Sequence, residues 1–371
     1  MNYSVILGIA AVLCAGILAF VATPLVRVLA YALGAIDVPR DNRRMHKSPV
    51  PRMGGLAIFL AFVITTLAFC EYSSTLLTIW FGGLIIVVLG IFDDIFSLNP
   101  FVKLLVQIGV ALIAVYQGII IERIHIFGHY ISFGIFSIPI TIIWITGLIN
   151  AINLIDGLDG LACGVSAICS VTLTVVTLMF AEPLFALVTA ILAGSCIGFL
   201  PFNSNPAKIF MGDTGAMFLG YTLSILSIQG LFKMHTVLAF IIPLFVFGLP
   251  LLDTMWSFIR RIFSGKSPFV GDKKHIHHRL IAMGFNQKQS TLILYSICGM
   301  MGIAAIMFSA ERIISGIIIL FFAFAFEAGI YFCLKSQKHR SNLGLNLSAP
   351  PADSSEDSKE SETSKDSSPQ E

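Results

Sequence analysis

The chain has 371 residues, 56% of them hydrophobic and only 12% charged, with a formal net charge of +2. Soluble domains carry about 25% charged residues, so this composition excludes an ordinary water-soluble fold. No nucleic-acid partner is expected. Apolar runs repeat at lengths approaching the ~20 residues that cross ~30 Å of hydrocarbon, whereas a transmembrane barrel would show short alternating segments. The expected fold class is therefore an all-α polytopic membrane protein.

Taken in chain order, the apolar runs predict eleven spans, near 4–33, 54–70, 75–92, 101–118, 136–152, 161–180, 183–201, 213–230, 236–257, 289–309 and 312–334. The first lacks a preceding basic residue and continues to about Leu29, so it reads as a membrane helix rather than a cleaved signal. Residues 119–135 alternate apolar and polar side chains around Gly128 and read as a small extracytoplasmic β-hairpin or interfacial element. The seven cysteines are scattered without zinc-like spacing and read as small apolar fillers. Residues 1–340 form the membrane domain. The Ser-, Asp-, Glu- and Lys-rich stretch 341–371 cannot bury enough surface to offset its ordering entropy and is expected to be a disordered cytoplasmic tail.

Eleven spans divide the loops into two sets. One set carries Arg40, Arg43, Arg44, Lys47, Arg52, Lys208, Arg260, Arg261, Lys266, Lys273, Lys274, Arg279 and Lys288, the other only Arg123, Lys233 and Arg312. The excess of Lys and Arg places the first set in the cytoplasm and the N-terminus outside.

Four polar clusters fall in that first set. Asp93 and Asp94 end the third span, where adjacent carboxylates invite a cation or a metal-bearing phosphoryl group; a helix cap is the plainer reading. Lys103 opens the next span with the wrong sign for the helix dipole, which favours a phosphate partner, and Gln107 follows one turn later on the same face. In NAINLIDGLDG, Asn150 and Asn153 share a helix face, and Asp156 and Asp159 repeat the spacing, each followed by glycine (Gly157 and Gly160). A capped turn explains one Asp and one Gly but not this array. Phe210-Met211-Gly212-Asp213 opens the eighth span, where Asp213 is either an N-cap or an oxygen ligand for Mg²⁺. His275, His277, His278 and Arg279 lie in the longest cytoplasmic loop. Hard oxygen ligands and no nearby cysteine argue against zinc there, and the cluster suits anion recognition. The first cytoplasmic loop, with Asp37, His46 and Arg52, is basic and ends at Gly54-Gly55, consistent with a supporting role.

These motifs, in this order and covering about residues 35–335, resemble the polyprenyl-phosphate N-acetylhexosamine-1-phosphate transferases of glycosyltransferase family 4. The His-x-His-His-Arg form is similar to the branch that uses UDP-N-acetylglucosamine to initiate O-antigen, enterobacterial common antigen or teichoic acid linkage units. The resemblance implies transfer of N-acetylglucosamine-1-phosphate to undecaprenyl phosphate with release of UMP, at a bacterial cytoplasmic membrane, with Mg²⁺ as cofactor and Mn²⁺ as a substitute, and it allows a homodimer. By motif it implies that Asp213 holds the metal with Asn153 as second ligand, and that Asp93, helped by Asp94, deprotonates or positions the lipid phosphate. Asp156 and Asp159 join them as catalytic acids. Lys103, Asn150, Gly157, Phe210, His275, His277, His278 and Arg279 bind substrate, with Gly157 and Asp159 on the uridine side, Phe210 against the base and the His-Arg group on the sugar diphosphate. Direct attack and a covalent aspartyl intermediate both remain open.

Two other readings stand beside this one. The same reaction with UDP-N-acetylmuramoyl-pentapeptide differs only in donor. A secondary transporter would place its ionisable groups near the bilayer midplane; only Asp253 suits that, and it lies close enough to the cytoplasmic end to read as a supporting residue, while an intramembrane aspartyl protease needs two facing acids inside the membrane, which this distribution does not offer.

Overall fold

The computed structural model describes residues 3–38, 49–126, 129–180, 182–230, 241–263 and 275–342. Arg40, Arg43, Arg44, His46, Lys47, Gly128, Lys233, Lys266, Lys273 and Lys274 lie outside them. The described residues form thirteen α-helices: α1 (Tyr3–Ala32), α2 (Gly55–Phe69), α3 (Ser74–Phe96), α4 (Pro100–Tyr116), α5 (Ser137–Ile155), α6 (Leu161–Met179), α7 (Pro183–Asn203), α8 (Gly212–Gly230), α9 (Ile241–Val246), α10 (Gly248–Phe263), α11 (Ile276–Ala282), α12 (Gln287–Ser309) and α13 (Ile313–Asn342). Two small antiparallel ribbons accompany them: β1 (Ile36–Asp37) with β2 (Val50–Pro51), and β3 (Arg123–Ile126) with β4 (His129–Ser132), the latter in register Arg123 opposite Ser132.

Six of these helices, α1, α3, α5, α6, α7 and α12, are long and apolar enough to cross a membrane by length and composition. The other expected spans depart from a plain apolar run for separate reasons. Helices α2, α4 and the first part of α13 are apolar but shorter. Helix α8 is long enough but carries Gly, Ser, Thr and Gln, because it lies at the centre of the bundle. All its residues from Thr214 to Gly230 are buried, so none needs to match lipid. The expected span 236–257 is broken between α9 and α10 at Phe247. Pro250 has no N–H to reach the Val246 carbonyl one turn back, and that carbonyl accepts the Cys169 thiol at 3.1 Å instead. Residues 231–240 lie outside the described part.

Helices α2, α3, α5, α6 and α7 all pack on α8. Small residues permit this, as is usual where helices associate without a hydrophobic driving force. A Cβ added to Gly55 of α2 would meet the Gly215 backbone of α8, one on Gly90 of α3 would meet Thr214, and one on Gly220 of α8 would meet Ile149 of α5. Buried hydroxyls lock the same interfaces: Tyr221 donates to the Thr78 carbonyl at 2.8 Å, and Trp144 donates to Ser227 at 3.0 Å.

The chain divides into a helical body, Met1–Phe326, and Glu327–Glu371. Of the second part, residues 327–342 complete α13, which continues past residue 340, and residues 343–371 lie outside the described part.

Gly55→Leu is expected to force α2 off α8. Overpacking of this kind costs about 1–3 kcal/mol or more, and thermal unfolding of the detergent-solubilised protein should show a lower midpoint. Gly8→Leu, where an added Cβ meets no neighbouring element within 4 Å among the described residues, should not.

Candidate active site

The site begins where α3 ends. Asp93 and Asp94 lie within the last turn of α3, which runs to Phe96, past the expected end of that span at 92. Ser97 then takes a left-handed conformation (φ 53°), and Asn99 caps α4 through the Phe101 amide, with Pro100 in the first turn. This short turn is held by Asp93 itself, whose Oδ1 accepts from the Leu98 amide at 2.7 Å. Its Oδ2 accepts from Lys103 at 2.9 Å.

Adjacent helical residues point about 100° apart, so Asp94 faces another neighbour. Its carboxylate accepts from the Asp213 amide at 3.0 Å, the Thr214 amide at 3.2 Å and the Thr214 hydroxyl at 2.7 Å. These are first-turn donors of α8, so Asp94 caps that helix from across the bundle, where an anion is favoured. Gly212 lies against Asp94 at φ 72°, where a side chain would be strained and would strike the carboxylate. Asp213 is thereby relieved of capping its own helix, and its side chain turns to the site.

Lys103 joins the two acids. Its Nζ lies 2.9 Å from Asp93 Oδ2 and 2.8 Å from Asp213 Oδ2, and Asn153 donates to that same Asp213 oxygen at 3.1 Å. Asn150, one turn before Asn153, donates to Gln107 at 2.8 Å and so ties α5 to α4. Asp93, Asp94, Lys103, Asn153 and Asp213 thus form one contiguous group from four helices.

The turn between α5 and α6 continues it. The Asp156 carboxyl is pushed up to about 8 by desolvation and by the negative charges of Asp213, Asp94 and Asp159, with Arg52 opposing them. Gly157 lies against the His277 ring, so that a Cβ there would collide with Nε2. The His-Arg segment is not an open loop. His277, His278 and Arg279 lie in the short helix α11, with His277 buried and His278 and Arg279 exposed. Burial and the neighbouring His278 push His277 down to about 4.

Asp159 has a different setting. Its Oδ2 accepts from Asn205 at 2.9 Å and from the Ala207 amide at 3.0 Å, fastening the α7–α8 connection to the turn. That connection also joins β2: Phe210 donates to the Pro51 carbonyl at 2.8 Å, and Gly54 donates to the Phe210 carbonyl at 2.9 Å. Arg52, in the same stretch, pairs with Asp37 at 3.2 Å.

Three contributors were not singled out in the sequence. Thr214 binds Asp94, Asn205 bridges Asp159 to Gln287 at 2.9 Å, and Tyr295 donates to the Gly160 carbonyl at 2.6 Å. None sits in a motif with chemistry of its own. Asp253, the one acid suited to a transporter and otherwise read as a supporting residue near the cytoplasmic end of its run, bonds His275 at 2.9 Å.

A bundle of apolar helices whose acids, amides and shared lysine converge at the helix ends defines a multi-pass membrane enzyme handling charged groups. Residues 76–231, from α3 through α8, match the glycosyl transferase family 4 model. The chain is 42% identical to the probable undecaprenyl-phosphate N-acetylglucosaminyl 1-phosphate transferase of Bacillus subtilis (strain 168), over 82% of this chain and 86% of the relative. It is 33% identical to the decaprenyl-phosphate N-acetylglucosaminephosphotransferase of Mycolicibacterium smegmatis, over 79% of this chain and 80% of the relative. It is 34% identical to the undecaprenyl-phosphate alpha-N-acetylglucosaminyl 1-phosphate transferase of Thermotoga maritima, over 76% and 84%. The chain belongs to glycosyl transferase family 4.

Asp94→Ala leaves the α8 donors without their acceptor and is expected to cost on the order of 3 kcal/mol, read as a lowered thermal midpoint. A second expectation concerns pH. The folded protein holds the Asp156 proton up to about 8, whereas an ordinary aspartate carboxyl in the unfolded chain loses it at 3.8, so Asp156 lowers stability progressively as pH rises through that interval. Asp156→Asn should therefore stabilise the protein more at pH 8 than at pH 5, measured by thermal unfolding of both proteins in matched buffers.

Proposed function

We propose that this protein transfers N-acetylglucosamine-1-phosphate from UDP-N-acetylglucosamine to undecaprenyl phosphate, initiating a cell-envelope polysaccharide. The observation that carries the reading is the Lys103 ammonium between Asp93 and Asp213, with Asn153 on the same Asp213 oxygen. It supplies carboxylates, an amide and a cation within reach of two phosphates. The names of the relatives in Bacillus subtilis and Thermotoga maritima support the donor and acceptor.

In the reaction an oxygen of the lipid phosphate bonds to the β-phosphorus of the nucleotide sugar, the bridge between α and β phosphorus breaks, and UMP leaves. Asp93 positions the lipid phosphate, and Lys103 turns from the carboxylates to that phosphate. His277, His278 and Arg279 hold the donor diphosphate beside Gly157, and Phe210 lies against the base. Asp159 keeps the donor side closed through Asn205 and Ala207. Positioning and charge stabilisation are the general means of phosphoryl transfer.

The donor set fits Mg²⁺, with Mn²⁺ as a substitute. No group of three His, Cys, Asp or Glu side chains that could hold a metal occurs among the described residues, and Mg²⁺ needs none, because it commonly takes one or two carboxylates with waters and substrate phosphates. Asp213 and the Asn153 amide oxygen would hold it, and when bound it neutralises diphosphate charge.

The eleven-crossing topology with the N-terminus outside, the site on the cytoplasmic face and the β3–β4 hairpin on the other belong to the same proposal. The excess of Lys and Arg in one set of loops supports it.

Purified protein incubated with undecaprenyl phosphate, Mg²⁺ and a panel of labelled UDP-sugars should yield labelled lipid from UDP-N-acetylglucosamine, with UMP. Label from UDP-N-acetylmuramoyl-pentapeptide alone would reassign the donor. Asp93→Asn and Asp213→Ala should each lower turnover at least roughly 100-fold. Near-normal turnover in Asp93→Asn would remove its role.

A further inference from the structure

Asp253 lies near the middle of α10, buried, with both carboxylate oxygens engaged. Oδ1 accepts from the Ile276 amide at 2.9 Å, and Oδ2 bonds the His275 Nδ1 at 2.9 Å, the two side chains being 4% and 5% exposed. A carboxylate only accepts, so the pair fixes the proton on Nδ1 of His275. The amide it receives opens α11, a helix of seven residues with no side-chain cap of its own. Asp253 therefore supplies from another helix what this segment lacks.

The consequence passes along the rings. The His275 and His277 rings are parallel, with 3° between planes and centroids 5.9 Å apart, and His277 and His278 lie 4.2 Å apart. His277 in turn covers Gly157. We propose that Asp253 is a positioning residue that acts through His275 to hold the His277–Arg279 segment against the Gly157 turn, and so sets the affinity for the nucleotide-sugar diphosphate. The effect on affinity rests on the donor-side role of this segment given under Proposed function.

The test uses the full-length protein in detergent. Asp253→Asn keeps an acceptor oxygen for the Ile276 amide but sets an amide NH2 against the His275 Nδ1–H. It is expected to raise KM for UDP-N-acetylglucosamine roughly tenfold or more, to leave kcat within about threefold, and to leave KM for undecaprenyl phosphate unchanged. Amide hydrogen exchange should quicken in residues 275–283 without a general rise elsewhere. Asp253→Glu should recover part of the affinity. His275→Ala should reproduce the KM change, and the double variant should be no worse than the worse single one. An unchanged donor KM, a fall in kcat alone, or multiplying effects in the double variant would overturn the proposal. If Asp253→Asn does not fold, His275→Ala decides in its place, with an unchanged donor KM counting against. If the wild type makes no lipid-linked sugar, the functional reading fails, and exchange in residues 275–283 still decides whether Asp253 holds the segment.

Discussion

The carboxylate of Asp94 on the first turn of α8 is the contact on which the site depends. The start of a helix buried at the centre of a bundle has no water to satisfy its leading amides, and each unmet donor there is costly. Asp94 meets two of them and the Thr214 hydroxyl besides. Because the acceptor comes from α3, the start of α8 is pinned to the end of α3, and Asp213 has no capping to do. The glycine contacts at Gly55, Gly90 and Gly220 bring the backbones close enough for this bond set to form. Central packing and site geometry are thus one arrangement.

Lys103 answers the charge problem this arrangement creates. Asp93, Asp94 and Asp213 are gathered within a protein interior, where carboxylates brought together raise one another's energy. One ammonium shared between Asp93 and Asp213 offsets part of that cost. The placement at helix ends, rather than at mid-bilayer, fits a reaction between a lipid headgroup and a nucleotide from water, and not a transporter's central site.

Much of the site was legible in the sequence because motif spacing and helix geometry coincide. Asn150 and Asn153 lie one turn apart, and both face the α4–α8 side. Lys103 has the wrong sign for its helix end because it serves two distant acids. The sequence could not separate Asp93 from Asp94: they are neighbours with the same chemistry, and only the packing of α3 directs one to Lys103 and the other to α8. Asp159 pairs with Asn205 and Ala207, more than forty residues away and without a local signature. Asp253, in an apolar run, read as a transporter acid or a supporting residue without a named partner, while that partner, His275, lay in a different cluster. The eleven apolar runs gave the helix order well, but hydropathy could not foresee that the central helix would be among the more polar ones, or that Pro250 would divide the ninth run.

What has to hold is that the four polar clusters form a single site. The most direct measurement is an experimental structure of the protein in a lipid nanodisc with UDP-N-acetylglucosamine bound. The donor diphosphate is expected between Asp213 and His277, with the uridine beside Gly157 and Phe210. A donor bound away from Asp213, or contacting the His277–Arg279 segment while Asp93 and Lys103 lie remote from its phosphates, would contradict it.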